Sequence, residues 1–73
     1  MTQDTSARYI ELNAFIKIKG IAATGGRAKL FIRDGLVKVN GEAETRNKKK
    51  LHVGDIVEAL GKKYIVEESL LRS

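Results

Sequence analysis

The stretch Val37-Lys38-Val39-Asn40-Gly41-Glu42-Ala43-Glu44 (VKVNGEAE, residues 37–44) decides how this chain is read. Val37 and Val39 alternate with Lys38, and a period of two puts the valines on one face of a strand and the lysine on the other. Asn40-Gly41 then stands between two such segments. Both residue types tolerate the positive φ that a two-residue type I′ turn demands, so the stretch predicts a β-hairpin.

Upstream the hydrophobic period is helical. Thr24 is the expected N-cap of a helix that runs to about Asp34 and stops at Gly35. At 100° per residue Ala28, Phe31 and Ile32 gather on one side, and Lys29 and Arg33 lie roughly opposite. Leu30 fits neither face. Before it, Leu12, Phe15, Ile16 and Ile18 make the stripe of a shorter helix, with Asn13 as its N-cap and Gly20 past its end. Tyr9 to Leu12 is either a short strand or the lead-in to that helix. Downstream, Gly54-Asp55 marks a second turn and Ile56–Leu60 a strand. A turn at Gly61-Lys62-Lys63 then leads into a strand at Tyr64–Val66. The predicted fold class is α+β: two short N-terminal helices, then three to five short strands in a small antiparallel sheet of β-hairpins. The domain is expected over residues 9–68, with a flexible tail at 1–8 and a second tail at 69–73.

The chain has 73 residues, room for one domain with a small core. It has no cysteine and one histidine, which rules out disulfides and thiolate metal sites. The same shortage leaves acid–base and nucleophilic chemistry without its usual groups, so no enzyme, metal or cofactor is expected. His52, between Leu51 and Val53, reads as a strand or surface residue. Gly20 to Gly25 has the spacing of a phosphate-binding loop, but Gly26 stands where that motif needs lysine. No apolar run is long enough to span a membrane, and Met1–Arg8 lacks an apolar signal core, so a cytoplasmic location is expected.

Charge is unevenly distributed. The whole chain carries +5, while Leu12 to Lys50 alone holds ten bases and three acids, a local excess of +7. A clustered excess of this kind is the footprint of a polyanion binder. Lys29 and Arg33 share a helix face, Lys38 projects from the first hairpin strand, and Arg46, Lys48, Lys49 and Lys50 follow the second. Phosphates are the natural counter-charge for such a set. The four aromatics do not interleave with these bases: Phe15 and Phe31 fall on predicted core faces. Contacts to RNA backbone and shape are therefore expected, rather than base stacking.

The run from Leu12 to Ile56 resembles the S-four RNA-binding domain, the alpha-L motif named after a ribosomal small-subunit protein. The resemblance rests on Ala28, Gly35, Val37, Val39, Asn40, Gly41, Gly54 and Asp55 at the family's places. Within the family it looks closest to the short, stand-alone bacterial members of the YbcJ/YaaA type, through TGGRAK (24–29), KVNGEAETR (38–46) and KKLHVGD (49–55). The resemblance implies a non-catalytic, monomeric module that binds structured RNA, ribosomal RNA first among the candidates, through the second helix and the hairpin. Arg27, Lys29, Arg33, Lys38, Arg46, Lys48, Lys49 and Lys50 are the expected RNA-binding residues. Many members carry an Arg pair where this chain has Gly25 and Gly26, glycines whose amides at the helix start leave room for a phosphate. Two rival readings follow from the elements alone. One is a helix-turn-helix DNA binder. The other is a protein-interaction module docking through the hairpin at 56–66.

Overall fold

The computed structural model describes residues 8–71. The first regular element is strand β1 (Ile10–Glu11), which runs directly into helix α1 (Leu12–Ile18). β1 pairs antiparallel with β4 (Lys50–Leu51), Ile10 opposite Leu51 and Glu11 opposite Lys50. This pairing settles how α1 begins. The Leu12 amide donates to the Lys49 carbonyl at 2.8 Å, and the Asn13 amide donates to the Asn47 carbonyl at 3.1 Å. Two of the donors that a helix start leaves open are thus satisfied by distant backbone, and no side-chain cap is needed. The cap position is Glu11, without a capping side chain. Asn13, the expected cap, lies inside the first turn, where its Oδ1 accepts from the Ala14 amide at 2.9 Å.

Helix α2 (Gly25–Arg33) starts as its sequence predicts, with Thr24 Oγ1 accepting from the Arg27 amide at 3.2 Å. Both helices end in one motif. Gly20 and Gly35 take φ of +73° and +76°. The amides of Gly20 and Ile21 donate to the carbonyls of Lys17 and Ile16, and those of Gly35 and Leu36 to Ile32 and Phe31. This is the Schellman pair of bonds, and it needs the left-handed backbone that glycine adopts at least cost. On α2, Ala28 and Ile32 are buried and Phe31 is half-buried against the core. Leu30, which the period left unplaced, is 47% exposed.

Four strands form the larger sheet: β2 (Lys38–Val39), β3 (Glu42–Ala43), β5 (Ile56–Ala59) and β6 (Lys62–Ile65). Their order is β3-β2-β5-β6, with every neighbouring pair antiparallel. Asn40 and Gly41 have φ of +52° and +87° and close the first hairpin as predicted. The second hairpin differs from its expectation. Its turn is Leu60-Gly61, both at positive φ, and Lys62 and Lys63 belong to β6. The register Val57↔Tyr64 sets this turn, because Val57 and Tyr64 share the core face and a slip of one residue would turn Tyr64 outward.

The sheets and helices meet over one core, in which Leu12, Phe15, Ile32, Val37, Leu51 and Val57 are fully buried. Each such side chain contributes roughly 1.5–3 kcal/mol by leaving water. Among the described residues there are six strands, one more than the largest number expected, and β1 lies ahead of the helices. Two-residue strands are too short to show alternation. The tail expected from Ser69 is not free at its start: Glu68–Leu70 form one 3-10 turn, and Leu70 and Leu71 pack half-buried against the core. The tail expected over 1–8 lies outside the described residues except for Arg8, whose guanidinium pairs with Glu68 at 2.9 Å. Among the described residues, no helix is long and apolar enough to cross a membrane.

Candidate nucleic-acid interface

The two turn signals of the sequence are joined in space. Asn40 Oδ1 accepts from the Ile56 amide at 3.0 Å, and Asn40 Nδ2 donates to Asp55 Oδ1 at 3.3 Å. The other Asp55 oxygen accepts from the His52 amide at 2.8 Å. The Asn of the hairpin and the Asp of the following turn therefore clamp the tip of β2–β3 to the segment that carries His52. Neither residue is a ligand-binding group first; together they fix where the basic segment runs.

That segment, residues 44–50, has almost no regular structure of its own. It is held by its carbonyls, since those of Asn47 and Lys49 receive the first amides of α1. Its side chains remain available for other contacts. Arg46 is the exception: its Nε lies 2.9 Å and its Nη2 3.2 Å from the two oxygens of Glu44, and its amide donates to the same carboxylate. The Glu44 side chain is 13% exposed and that of Arg46 72%. The hydrogen bonds from Arg46 hold the Glu44 carboxyl below its usual pKa, and the same contact pushes the guanidinium's up. Lys50 Nζ sits 5.0 Å from the Tyr9 ring centre, a cation–π distance that props the lysine on the edge of the segment.

These residues surround two adjoining grooves. The first, about 540 Å³, is lined by Arg46, Lys48, Lys49, Lys50 and His52. The second, about 520 Å³, shares Arg46, Lys49, Lys50 and His52 with the first and adds Val39, Asn40 and the carboxylates of Glu42, Glu44 and Asp55 to its lining. The structure thus brings four of the eight expected cations around one concavity. It does not bring in the other four. Arg27, Lys29 and Arg33 are exposed on α2 and line neither groove. Lys38 is exposed on β2 opposite Glu58 of β5, also outside the grooves. His52 lines both grooves and is not among the expected RNA-binding residues, because the residue alone between two apolar neighbours gives no sign of what surrounds it. The only available signal was its place between a basic run and a Gly-Asp turn.

The aromatics offer no open stacking platform among the described residues. Phe15 is buried, Phe31 and Tyr64 pack against the core, and Tyr9 is half-buried beside Lys50. No group of three or more His, Cys, Asp or Glu side chains among the described residues is placed to hold a metal ion. On the outer face of the larger sheet, Ile56 and Ile65 pair directly at 40% and 54% exposure.

Comparison with known proteins identifies the family. The chain is 42% identical over 52 residues to the Bacillus subtilis (strain 168) "Probable ribosome maturation protein RlbA", covering 71% of this chain and 73% of that one. It is 38% identical over 53 residues to the Escherichia coli (strain K12) "Putative RNA-binding protein YbcJ", covering 73% and 76%. The family model described as the S4 domain matches residues 4–67, nearly the whole chain. The ordered motifs, the α+β fold and this match together place the chain in the S4 domain family.

Proposed function

We propose that this protein is a non-catalytic module that binds structured RNA, ribosomal RNA being the first candidate, in the cytoplasm and as a monomer. The observation that carries the reading is the groove lined by Arg46, Lys48, Lys49, Lys50 and His52, a concave surface with no acid in its lining. Family membership and the names of the two relatives support it. In this reading phosphates of an RNA backbone enter the groove, and Arg27, Lys29, Arg33 and Lys38 extend the contact over α2 and the hairpin. Side chains rarely reach base edges inside an A-form duplex, so the module reads the spacing of phosphates and the shape of the fold. Lysines act there as point charges and arginines as forked donors.

The test is a filter-binding titration with ribosomal RNA, total bacterial RNA and duplex DNA at two salt concentrations. It uses the native protein, a Lys48→Ala, Lys49→Ala, Lys50→Ala variant and a Lys29→Ala, Arg33→Ala variant. If about five phosphates are neutralised, log affinity should fall with log salt at a slope of roughly −4 to −5. Preference for RNA that weakens in both variants supports the proposal. Equal binding of duplex DNA would favour the helix-turn-helix reading. Full RNA binding by the triple variant would remove the groove from the account and leave α2 as the contact surface; no preference for RNA in the native protein would move the docking reading through the exposed Ile56–Ile65 pair ahead.

A further inference from the structure

The two grooves share lining residues but differ in chemistry. The first presents only cations and His52. The second adds the carboxylates of Glu42, Glu44 and Asp55. These carboxylates offset the charge of the shared cations, so the second groove suits a phosphate less well than the first.

The three carboxylates are not equivalent. Both Glu44 oxygens are engaged by Arg46. Both Asp55 oxygens are engaged, one by Asn40 and one by the His52 amide. Glu42 is exposed on the edge strand β3, and no hydrogen bond or ion pair among the described residues engages it. It is thus the acceptor still available in that groove, whose lining also holds Arg46, Lys49, Lys50 and His52.

A ligand for such a place needs hydrogen-bond donors on one edge and acceptors on the other. Among the RNA bases, guanine fits best. Its N1–H and N2 amino group are adjacent donors that match the two oxygens of one carboxylate. Its O6 and N7 are acceptors that suit arginine and lysine. Adenine and cytosine offer an amino group flanked by a ring acceptor, and uracil offers one N–H between two carbonyls. Base edges of this kind are open only in unpaired nucleotides.

We infer that the carboxylate-bearing groove is a subsite for the base of an unpaired guanosine, with Glu42 as its specificity residue and the adjoining phosphate in the cationic groove. The inference rests on the RNA-binding reading above and narrows it. The cationic groove supplies affinity, and the second groove supplies selection of one loop or bulge nucleotide.

The experiment is a fluorescence-anisotropy titration with an RNA stem-loop whose loop is all uridine, the same stem-loop with one central loop guanosine, and the same with inosine in its place. Native protein should bind the guanosine loop about tenfold more tightly than the uridine loop, within the range a good bidentate base contact provides. Inosine lacks the N2 amino group and should lose most of that gain. Because inosine changes only the RNA, this arm is independent of protein folding. Glu42→Gln should abolish the guanosine preference and leave uridine-loop affinity and its salt dependence within about twofold. Equal binding of the guanosine and uridine loops, or a preference that survives in Glu42→Gln, would overturn the subsite and leave the RNA-binding reading standing. Absence of salt-sensitive binding to any of the three RNAs would overturn both.

Discussion

Two basic regions of this molecule carry the same kind of charge and hold it in opposite ways. On α2, Arg27, Lys29 and Arg33 stand on a regular helix, exposed and outside both grooves. Their positions follow from the helical period, and their backbone is satisfied locally. In the segment that leads into β4, Arg46, Lys48 and Lys49, with Lys50 at the strand's start, line a concavity although residues 44–49 have no helix or strand to order them. Its order comes from bonds to the rest of the chain: Asn47 and Lys49 carbonyls to α1, β4 to β1, and the Asn40–Asp55 clamp. The difference teaches that a basic run need not be a loose arm. Here the carbonyls do the holding, and among the described residues the side chains of Lys48 and Lys49 enter no ion pair.

The largest expected effect breaks the second region's support. Leu51 is fully buried on β4, and Leu51→Ala should cost about 2–5 kcal/mol. A domain of this size is expected to have only about 4–11 kcal/mol in total, so urea midpoints should fall sharply. If the midpoint hardly moved, β4 would not be what anchors the basic segment.

Next comes the direct comparison. Lys48→Ala, Lys49→Ala, Lys50→Ala leaves the Asn47 and Lys49 carbonyls in place, so the fold should survive. The slope of log affinity against log salt should drop by nearly three units, against nearly two for Lys29→Ala, Arg33→Ala. Equal losses from the two variants would mean that one of the three groove lysines meets no phosphate. The comparison can also be sharpened from the other side. An added Cβ at Gly25 meets nothing within 4 Å, and at Gly26 only Thr24 Oγ1 at 4.0 Å, with neither at positive φ. Gly25→Arg, Gly26→Arg should therefore fit, stabilise α2 by up to about 1 kcal/mol per site, and steepen the salt slope if α2 faces RNA. An unchanged slope would put α2 away from the nucleic acid.

Asp55→Ala removes the acceptor of Asn40 Nδ2 and of the His52 amide. It should cost about 1–3 kcal/mol in thermal or urea unfolding. RNA affinity should fall through the groove while the α2 contribution persists, which a double-variant cycle with Lys29→Ala, Arg33→Ala would show as additivity.

The smallest effect concerns Glu44. Its carboxyl is held below the usual value by Arg46, so the pair's contribution is present above the ordinary carboxylate pKa and is lost as pH falls through the lowered one. Glu44→Gln should flatten that acid-side dependence of stability. It should also release Arg46 and steepen the salt slope by at most about one unit. A shallower slope would mean that Glu44 orients Arg46 for RNA and does not compete for it.

Legibility in the sequence followed the range of the interactions. The Asn40-Gly41 hairpin, the Thr24 cap and the two glycine-terminated helices were readable because each is closed by bonds a few residues long. The α1 start was misplaced at Asn13 because its partners lie more than thirty residues away. The second hairpin was shifted because glycine and lysine there look like a turn, while burial of Val57 against the core chose Leu60-Gly61. Among site residues, the charge cluster was visible and its division was not. Nothing local separates Lys29 from Lys49, or marks His52 and Glu42 as neighbours of the same groove.

The sequence by itself determined the α+β class, the hairpin tip and the excess of positive charge between Leu12 and Lys50. These depend on period, on turn chemistry and on composition, all of which act over short distances. Only the tertiary structure decided that β1 would receive β4, that α1 would be capped by a distant loop, and that four of the eight cations would surround one concavity, with carboxylates in the lining of the adjoining one. Those outcomes depend on which backbone donors are left open and on which side chains can be buried together, and both are set by the assembled chain.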